Sequence, residues 1–523
     1  MRGRSFIRMG YDLYSHGTLT LIPTQGMLSL MREPNQTHNT QKPLPRSPKR
    51  GRIILTILLV VVVLLAGLLY SQRHQIHQFL QALSVPPPQP VHITPLTLPP
   101  STATPGQLTS ADWTMYHADN ARTGFVAGVP DPTRLTSLWK QPLDGAVYAE
   151  PLVVAGQVIV ATEHDTLYAL DARTGQVYWH TTVGTPVPLS DLPCGNIDPL
   201  GITGTPVYDP QTGLVFAVAE IQGPAHMLVG LDVKTGQIKV RRLVDPPGMD
   251  PQAHQQRAAL ALSGGSIYIA FGGLYGDCGD YHGRVVASRT DGTGALLTYQ
   301  VPTPREGGIW APAGPAIDAQ GNLYVSVGNG AVTQGGWDHS DSVLRLSPTL
   351  QLEDGFAPQS WQSDNASDAD LGSMGPVLLP DGLIYADGKS GQGYLLRADH
   401  LGGVGGQIQM ISLCSAFGGA AVSGPSLFIP CTDGLRQLQL AAGAHLVAGW
   451  HAPRQVTGSP VIGGQTVYSL DPGGGVLYAL NAATGEVRAT LSVGTTSRFA
   501  TPALSQQSIF IGTMTGIAAV AIT

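Results

Sequence analysis

The segment LYALDARTGQVYW (Leu167–Trp179) returns as LYALNAATGEVRA (Leu477–Ala489), 310 residues later. Such a recurrence points to a repeat architecture, in which one supersecondary unit stacks on copies of itself. Degraded forms of the phrase lie between the two. Each unit reads as a small residue and Pro, an alternating apolar strand, a Gly turn, a second alternating strand, and then the phrase. Units begin at AEPLVVAGQVIVAT (149–162), GTPVYDPQTGLVFAVA (204–219), AALALSGGSIYIAFG (258–272) and AGPAIDAQGNLYVSVG (313–328). Four more begin at MGPVLLPDGLIYADG (374–388), GAAVSGPSLFIPC (419–431), GSPVIGGQTVYSLD (458–471) and ATPALSQQSIFIGT (500–513), which makes eight.

Alternation such as Val158, Val160 and Tyr168, Leu170 predicts half-buried strands. DARTG, DVKTG and NAATG predict tight turns, where Gly supplies positive φ and Asp or Asn bonds its own backbone. A composition with 65 Gly, 41 Pro and 12% charged residues suits many short strands, and 43% apolar residues is too many for disorder. Four strands per unit predict an all-β, eight-bladed β-propeller of four-stranded antiparallel blades. A β-helix and two stacked sandwiches are the alternatives. The eighth unit ends at GIAAVAIT (516–523) with no outer strand of its own. TSLWKQPLDG (136–145) resembles that missing piece, so the N-terminal strand is expected to complete the last blade and leave no free edge.

Charge divides the chain. Residues 1–52 carry nine Lys and Arg against Asp12 and Glu33, while residues 53–523 carry 20 basic and 33 acidic residues. The overall net charge of -6 does not suggest a nucleic-acid partner. IILTILLVVVVLLAGLLY (Ile53–Tyr70) holds 18 residues without a charge, just long enough to cross a bilayer core. It predicts a transmembrane helix with the basic flank, 1–52, as a cytoplasmic flexible tail. Residues 71–110, with VPPPQPVHITPLTLPPSTATPG, predict a Pro-rich linker. The expectation is a single-pass membrane protein with the propeller, 111–523, outside the cytoplasm.

DWTMYHADNARTG (112–124), followed by the repeated LYALDxxTGxxxW, resembles the quinoprotein-like (PQQ-binding-like) β-propellers. That superfamily holds dehydrogenases that use pyrroloquinoline quinone (PQQ) and also non-enzymatic scaffolds. CGNIDPLGITGTPVYD (194–209), IWAPAGPAIDAQGNLYVSVGNG (309–330), DSVLRLSPTL (341–350), DADLGSMGPVLLPDG (368–382) and GKSGQGYLLRADHLGG (388–403) are similar to the polyvinyl alcohol dehydrogenase type. The resemblance implies PQQ over the central channel beside Ca²⁺, which takes six to eight hard oxygen ligands. It implies Glu220, Asn329 and Asp370 at the ion, and Asp370 as the base that takes the alcohol proton. Trp310 would stack on the quinone, and Lys389 and Arg257 would neutralise its oxygens. An adjacent Cys-Cys pair and a CxxCH heme motif are absent, so the implied partners are an alcohol or polymer substrate and an external electron acceptor. The same repeats also build scaffolds, so a cofactor-free propeller that binds an envelope protein or polymer is the second reading.

Each residue has a plainer role open to it. Glu220 could sit exposed on a strand end, Asn329 could serve a Gly turn, and Asp370 could be solvated surface. Lys389 could neutralise Asp387, and Trp310 could be blade packing. His254 and His282 allow a metal site or loop hydrogen bonding. Four cysteines, Cys194, Cys278, Cys414 and Cys431, permit two disulfides in three pairings. Separation favours Cys414–Cys431, expected to staple adjacent strands of blade six. Cys194 and Cys278 lie in long loops that would then have to meet.

Overall fold

A computed structural model of the chain describes residues 112–523. The predicted tail, transmembrane span and linker lie outside the described residues. Among the described residues, no helix is long and apolar enough to cross a membrane.

Eight antiparallel sheets follow one another, each with a short inner strand and three longer ones. The inner strands of blades 1 to 4 are Leu152–Val154, Val207–Asp209, Ala261–Ser263 and Ala316–Ile317. Those of blades 5 to 8 are Val377–Leu379, Ala421–Ser423, Val461–Gly463 and Ala503–Ser505. All eight fall inside the repeats read from the sequence. Extra two-residue strands widen blades 3, 4 and 7. The last blade is closed by Leu135–Pro142, which pairs antiparallel with Gly516–Ile522 from Leu135↔Ile522 to Pro142↔Gly516. The ring therefore shares one sheet between its two chain ends, as the missing outer strand predicts.

Burial departs from the half-buried expectation. Gln157–Ala161 and Leu323–Val327 are buried along almost their whole length, and alternation survives only in outer strands such as Val177–Thr182. The reason is that each blade is covered on both faces by its neighbours. Leu152, Ile159, Leu167 and Trp179 of blade 1, for example, meet Tyr208, Val215, Ala217 and Val229 of blade 2.

The repeated TG has a second purpose besides its turn. Asp171 Oδ1 accepts the backbone N–H groups of Arg173 and Thr174 at 3.0 and 2.7 Å, and Gly175 has φ of +74°. A Cβ on Gly175 would also lie 2.6 Å from the Trp139 ring. Trp139, in the outer strand of blade 8, lies flat over the blade 1 turn and donates Nε1–H to Ala172 O at 3.1 Å. Trp179 repeats this over Gly236, donating to Val233 O at 3.0 Å, and Trp450 over Gly485, donating to Ala482 O at 2.9 Å. Thus the W of one unit is keyed to the G of the next.

The motif at 112–124 is the centre of the ring. Trp113 pairs with Val153 of blade 1, and Tyr208 of blade 2 donates its N–H to Thr114 O at 2.8 Å. Ile317, Leu378, Val422 and Ile462, of blades 4 to 7, donate in turn to Asn120, Ala121, Thr123 and Gly124. Asn120 Nδ2 donates to Leu262 O of blade 3 at 3.0 Å. Trp113, Tyr116, His117 and Arg122 are all buried. Arg122 donates to Tyr116 O, Leu260 O and Pro315 O at 3.0 to 3.1 Å. Burial pulls Arg122 down to about 10, against the charges of Asp119, Tyr116 and Glu150, so it stays a cation at neutral pH.

Two stability predictions result. Deleting 135–142 should lower the melting temperature of the whole propeller; an unchanged transition would refute strand-shared closure. Arg122→Met should cost about 3 kcal/mol or more in urea unfolding, because three buried carbonyls lose their donor. A cost below about 1 kcal/mol would show that the plug does not anchor the ring.

Candidate functional site

The central segment contacts the inner strands themselves, so the loops that precede those strands gather at one end of the ring. Trp310 precedes the inner strand of blade 4, Asp370 that of blade 5, Phe417 that of blade 6 and Phe499 that of blade 8. Lys389 follows Leu383–Ala386, the antiparallel second strand of blade 5, and returns to the same end.

Trp310 lies in a glycine bed. A Cβ on Gly272 would come 2.6 Å from its Cβ, and one on Gly328 would come 3.1 Å from its Nε1. Lys389 Nζ sits 5.4 Å from the centre of the Trp310 ring, a cation–π contact. The same ammonium lies 2.9 Å from Asp370 Oδ2 and also pairs with Asp368. Asp370 is 0% exposed, and its Oδ1 has no hydrogen-bond partner. Burial raises the Asp370 carboxyl above the ordinary carboxylate range, with Lys389 pulling against it. Its loop is pinned by Lys389 N–H to Asp370 O at 2.9 Å and Leu371 N–H to Asp341 Oδ1 at 2.7 Å. Lys389 therefore serves Asp370 rather than Asp387, which accepts from Tyr385 Oη–H at 2.7 Å.

Glu220 ends a blade 2 strand and is 4% exposed. Its Oε1 accepts Gln256 N–H at 2.6 Å and lies 3.9 Å from His226 Nε2. His226 Nδ1 is in turn 2.6 Å from Asp245 Oδ1, which makes a buried Asp–His–Glu row. Burial pushes Glu220 up to about 7, opposed by His226 and Arg257. Glu163 and Asp165 stand near it, each pushed by burial up to about 8. Arg257 lies 5.5 Å from the Phe499 ring and donates to Gln255 Oε1 at 2.9 Å.

Lys389 thus touches both Asp370 and Trp310. Glu220 and Arg257 form a second group that reaches Trp310 through Phe499, whose ring is 6.5 Å from it. Asn329 follows Gly328, which packs against both Trp310 and Gly372, and its Nδ2 lies 3.5 Å from Glu306 Oε2. Asn329 and Asp370 thus flank the Gly328–Gly372 contact, whereas Glu220 lies in the other group. The chemistry of all three suits an ion: hard oxygens, two of them on buried carboxylates, with one oxygen of Asp370 orphaned. His254 donates Nδ1–H to Asp250 O at 2.7 Å and accepts the His282 N–H on Nε2 at 3.2 Å, which is loop structure. Among the described residues, the one close group of Asp, Glu, His and Cys donor atoms is Cys414, Cys431 and Asp433. Those sulfurs are bonded to each other.

Both disulfides form, Cys194–Cys278 and Cys414–Cys431, with Cα atoms 6.0 and 5.6 Å apart. The second is not a staple between adjacent strands of blade six. Cys414 follows Gln409–Ser412, the outer strand of blade 5, so the bond ties blade 5 to blade 6. Cys431 follows Ser426–Ile429, the second strand of blade 6, whose inner strand begins at Ala421.

Phe417, Phe499 and Arg498 are site residues that the repeat reading passes over. Phe417 lies 6.3 Å from Trp310 and shares its open face with Phe499. Below Phe499 is a cavity of about 20 Å³, floored by Tyr116 and walled by Arg257, Thr203 and Thr205. It has room for about one water. A flat ligand on Trp310 must move Phe417 or Phe499. Their one sequence signal is position, an aromatic residue shortly before an inner strand, as Trp310 is.

A family model described as outer membrane protein assembly factor BamB, of PQQ-like repeats, matches residues 136–401. A polyvinylalcohol dehydrogenase from Sphingopyxis sp. (strain 113P3) is 26% identical over 383 residues, covering 62% of this chain and 55% of its own. The chain therefore spans about half the length of that curated relative. A quinohemoprotein alcohol dehydrogenase from Pseudomonas putida HK5 superposes with a TM-score of 0.63 at 14% identity, covering 80% of this chain and 82% of its own. A europium-containing methanol dehydrogenase superposes with a TM-score of 0.63 at 15% identity, covering 79% and 98%. At these identities the structural likeness shows the fold.

The raised carboxyls set a pH dependence. Glu163 and Asp165 keep their protons in the folded chain up to about pH 8, whereas the unfolded chain loses them near pH 4. The folded state binds more protons between those limits, so stability falls as pH rises through that window. In chelator, Asp165→Asn should flatten the fall in melting temperature between pH 5 and pH 8. An identical slope in the variant would contradict the assignment.

Proposed function

The chain belongs to the family of PQQ-like β-propellers, and on that premise we propose that it oxidises an alcohol with bound PQQ and Ca²⁺. The carrying observation is the contact of Lys389 with both Asp370 and Trp310: a cation between a buried carboxylate with an orphaned oxygen and an aromatic face. When bound, PQQ supplies the two-electron acceptor and Ca²⁺ the Lewis acid. The protein's own part is proton handling and placement. Asp370 takes the hydroxyl proton, and its raised affinity for protons brings it closer to the neutral range where a general base works best. Lys389 holds that carboxylate in register and balances its charge. Trp310 would carry the cofactor ring, and Arg257 and Lys389 would offset its negative charge. Glu220, steadied by His226 and Asp245, and Asn329 offer the remaining oxygen ligands. An external acceptor removes the electrons. We also propose that Ile53–Tyr70 anchors the chain with the propeller outside the cytoplasm; two disulfides in the propeller support an oxidising compartment.

One observation favours the scaffold reading. Phe417 and Phe499 already lie against Trp310, over a cavity for about one water. In that reading the blade loops bind an envelope protein or polymer.

A titration of residues 112–523 with PQQ and Ca²⁺, followed by dye-linked alcohol oxidation, separates the two. Saturable binding at micromolar PQQ is expected. Asp370→Asn should fold normally and lose about 10²- to 10⁴-fold in turnover. Glu220→Gln should weaken cofactor binding at least about tenfold. No binding at micromolar PQQ rejects the enzyme, and unchanged binding in Glu220→Gln rejects that ligand.

A further inference from the structure

Arg498 is an exposed arginine with no counter-charge among the described residues. Its Cζ lies 3.8 Å from the centre of the Phe417 ring and 5.9 Å from that of Phe499. Burial lowers its proton affinity, and no neighbouring charge opposes that effect. Other arginines at the ring centre are satisfied: Arg122 by three carbonyls, and Arg257 by Gln255. Arg436, nearby in blade 6, has Asp433 at 2.5 Å. A guanidinium spread over an aromatic ring keeps its in-plane N–H donors free to form a fork.

A cavity of about 70 Å³ lies beside it, lined by Arg498, Phe417, Pro430, Thr432 and Thr457. It has room for several waters, and therefore for a carboxylate. The two threonine hydroxyls add donors. Its Phe417 wall also contacts Trp310, so a group held here belongs to a molecule lying across the same face. The planar fork matches the two oxygens of a carboxylate, and hydrogen bonds between charged partners are the strong ones.

We propose that the Arg498–Phe417 cavity is a carboxylate-binding subsite at the mouth of the ring. The carboxylate is that of a hydroxy-acid substrate, and the cofactor's own carboxylates are an outcome that the test separates. The subsite stands apart from the cofactor reading, because it is measured first on cofactor-free protein.

The probes are mandelate and its neutral counterpart benzyl alcohol, titrated by calorimetry into residues 112–523, with PQQ in a third arm. Mandelate should bind at least about tenfold more tightly than benzyl alcohol. Arg498→Gln should abolish the difference, and Arg498→Lys should retain part of it, with both variants melting like the parent. If mandelate does not bind but Arg498→Gln weakens PQQ at least about tenfold, the guanidinium serves the cofactor and the substrate subsite is overturned. Mandelate binding without PQQ binding supports the subsite and rejects the cofactor. Equal binding of mandelate and benzyl alcohol likewise overturns the proposal.

Discussion

One buried arginine joins parts of the ring that are far apart in sequence. Arg122 donates to carbonyls of the central segment itself, of blade 3 and of blade 4. The segment around it offers backbone carbonyls to inner strands of blades 2 and 4 to 7, and pairs with blade 1 in both directions. A propeller's inner strands converge on an axis where their edges have no sheet partner. Here one strip of chain supplies that partner. It satisfies groups that would otherwise be buried and unpaired, and it fills the axis at the level of the strands. Whatever chemistry the ring performs is thereby moved to the end where loops precede those strands.

The circumference is held by a different device. Trp139, Trp179 and Trp450 each cover the turn glycine of the next blade and donate to a carbonyl in that turn. Each contact needs the Trp of one unit and the missing Cβ of its neighbour. The apolar strands between them are buried on both faces, which explains their near-continuous burial. Blade 8 borrows Leu135–Pro142, so both ends of the described chain are tied into one sheet.

Much of this frame was legible because its information is local. Strand alternation, the DxxTG turns and the absent last strand are short-range patterns, and all eight units lie where those patterns put them. The site was legible in part. Trp310, Asp370 and Lys389 do come together, and Asp370 proves buried although its flanks, DNASDAD, read as solvated surface. The Asp245–His226–Glu220 row was not legible, since it depends on a strand pairing that sets Glu220 opposite His226. Nor were Phe417, Phe499 and Arg498, which meet only because the ring brings blades 4, 6 and 8 to one axis. Cys414–Cys431 was paired correctly from separation but assigned to one unit, whereas Cys414 follows the outer strand of blade 5 and precedes the sixth repeat at 419.

The two faces of the site describe a ring that has the groups for a flat, anionic cofactor and a pair of phenylalanines over the place it would take. Their movement is the point on which enzyme and scaffold part. A crystal structure of residues 112–523 grown with PQQ and Ca²⁺ tests this most directly. The account predicts density for the quinone against Trp310, beside Asp370 and Lys389, with Phe417 or Phe499 turned away. An empty face with both rings still on Trp310, at saturating PQQ, would contradict it.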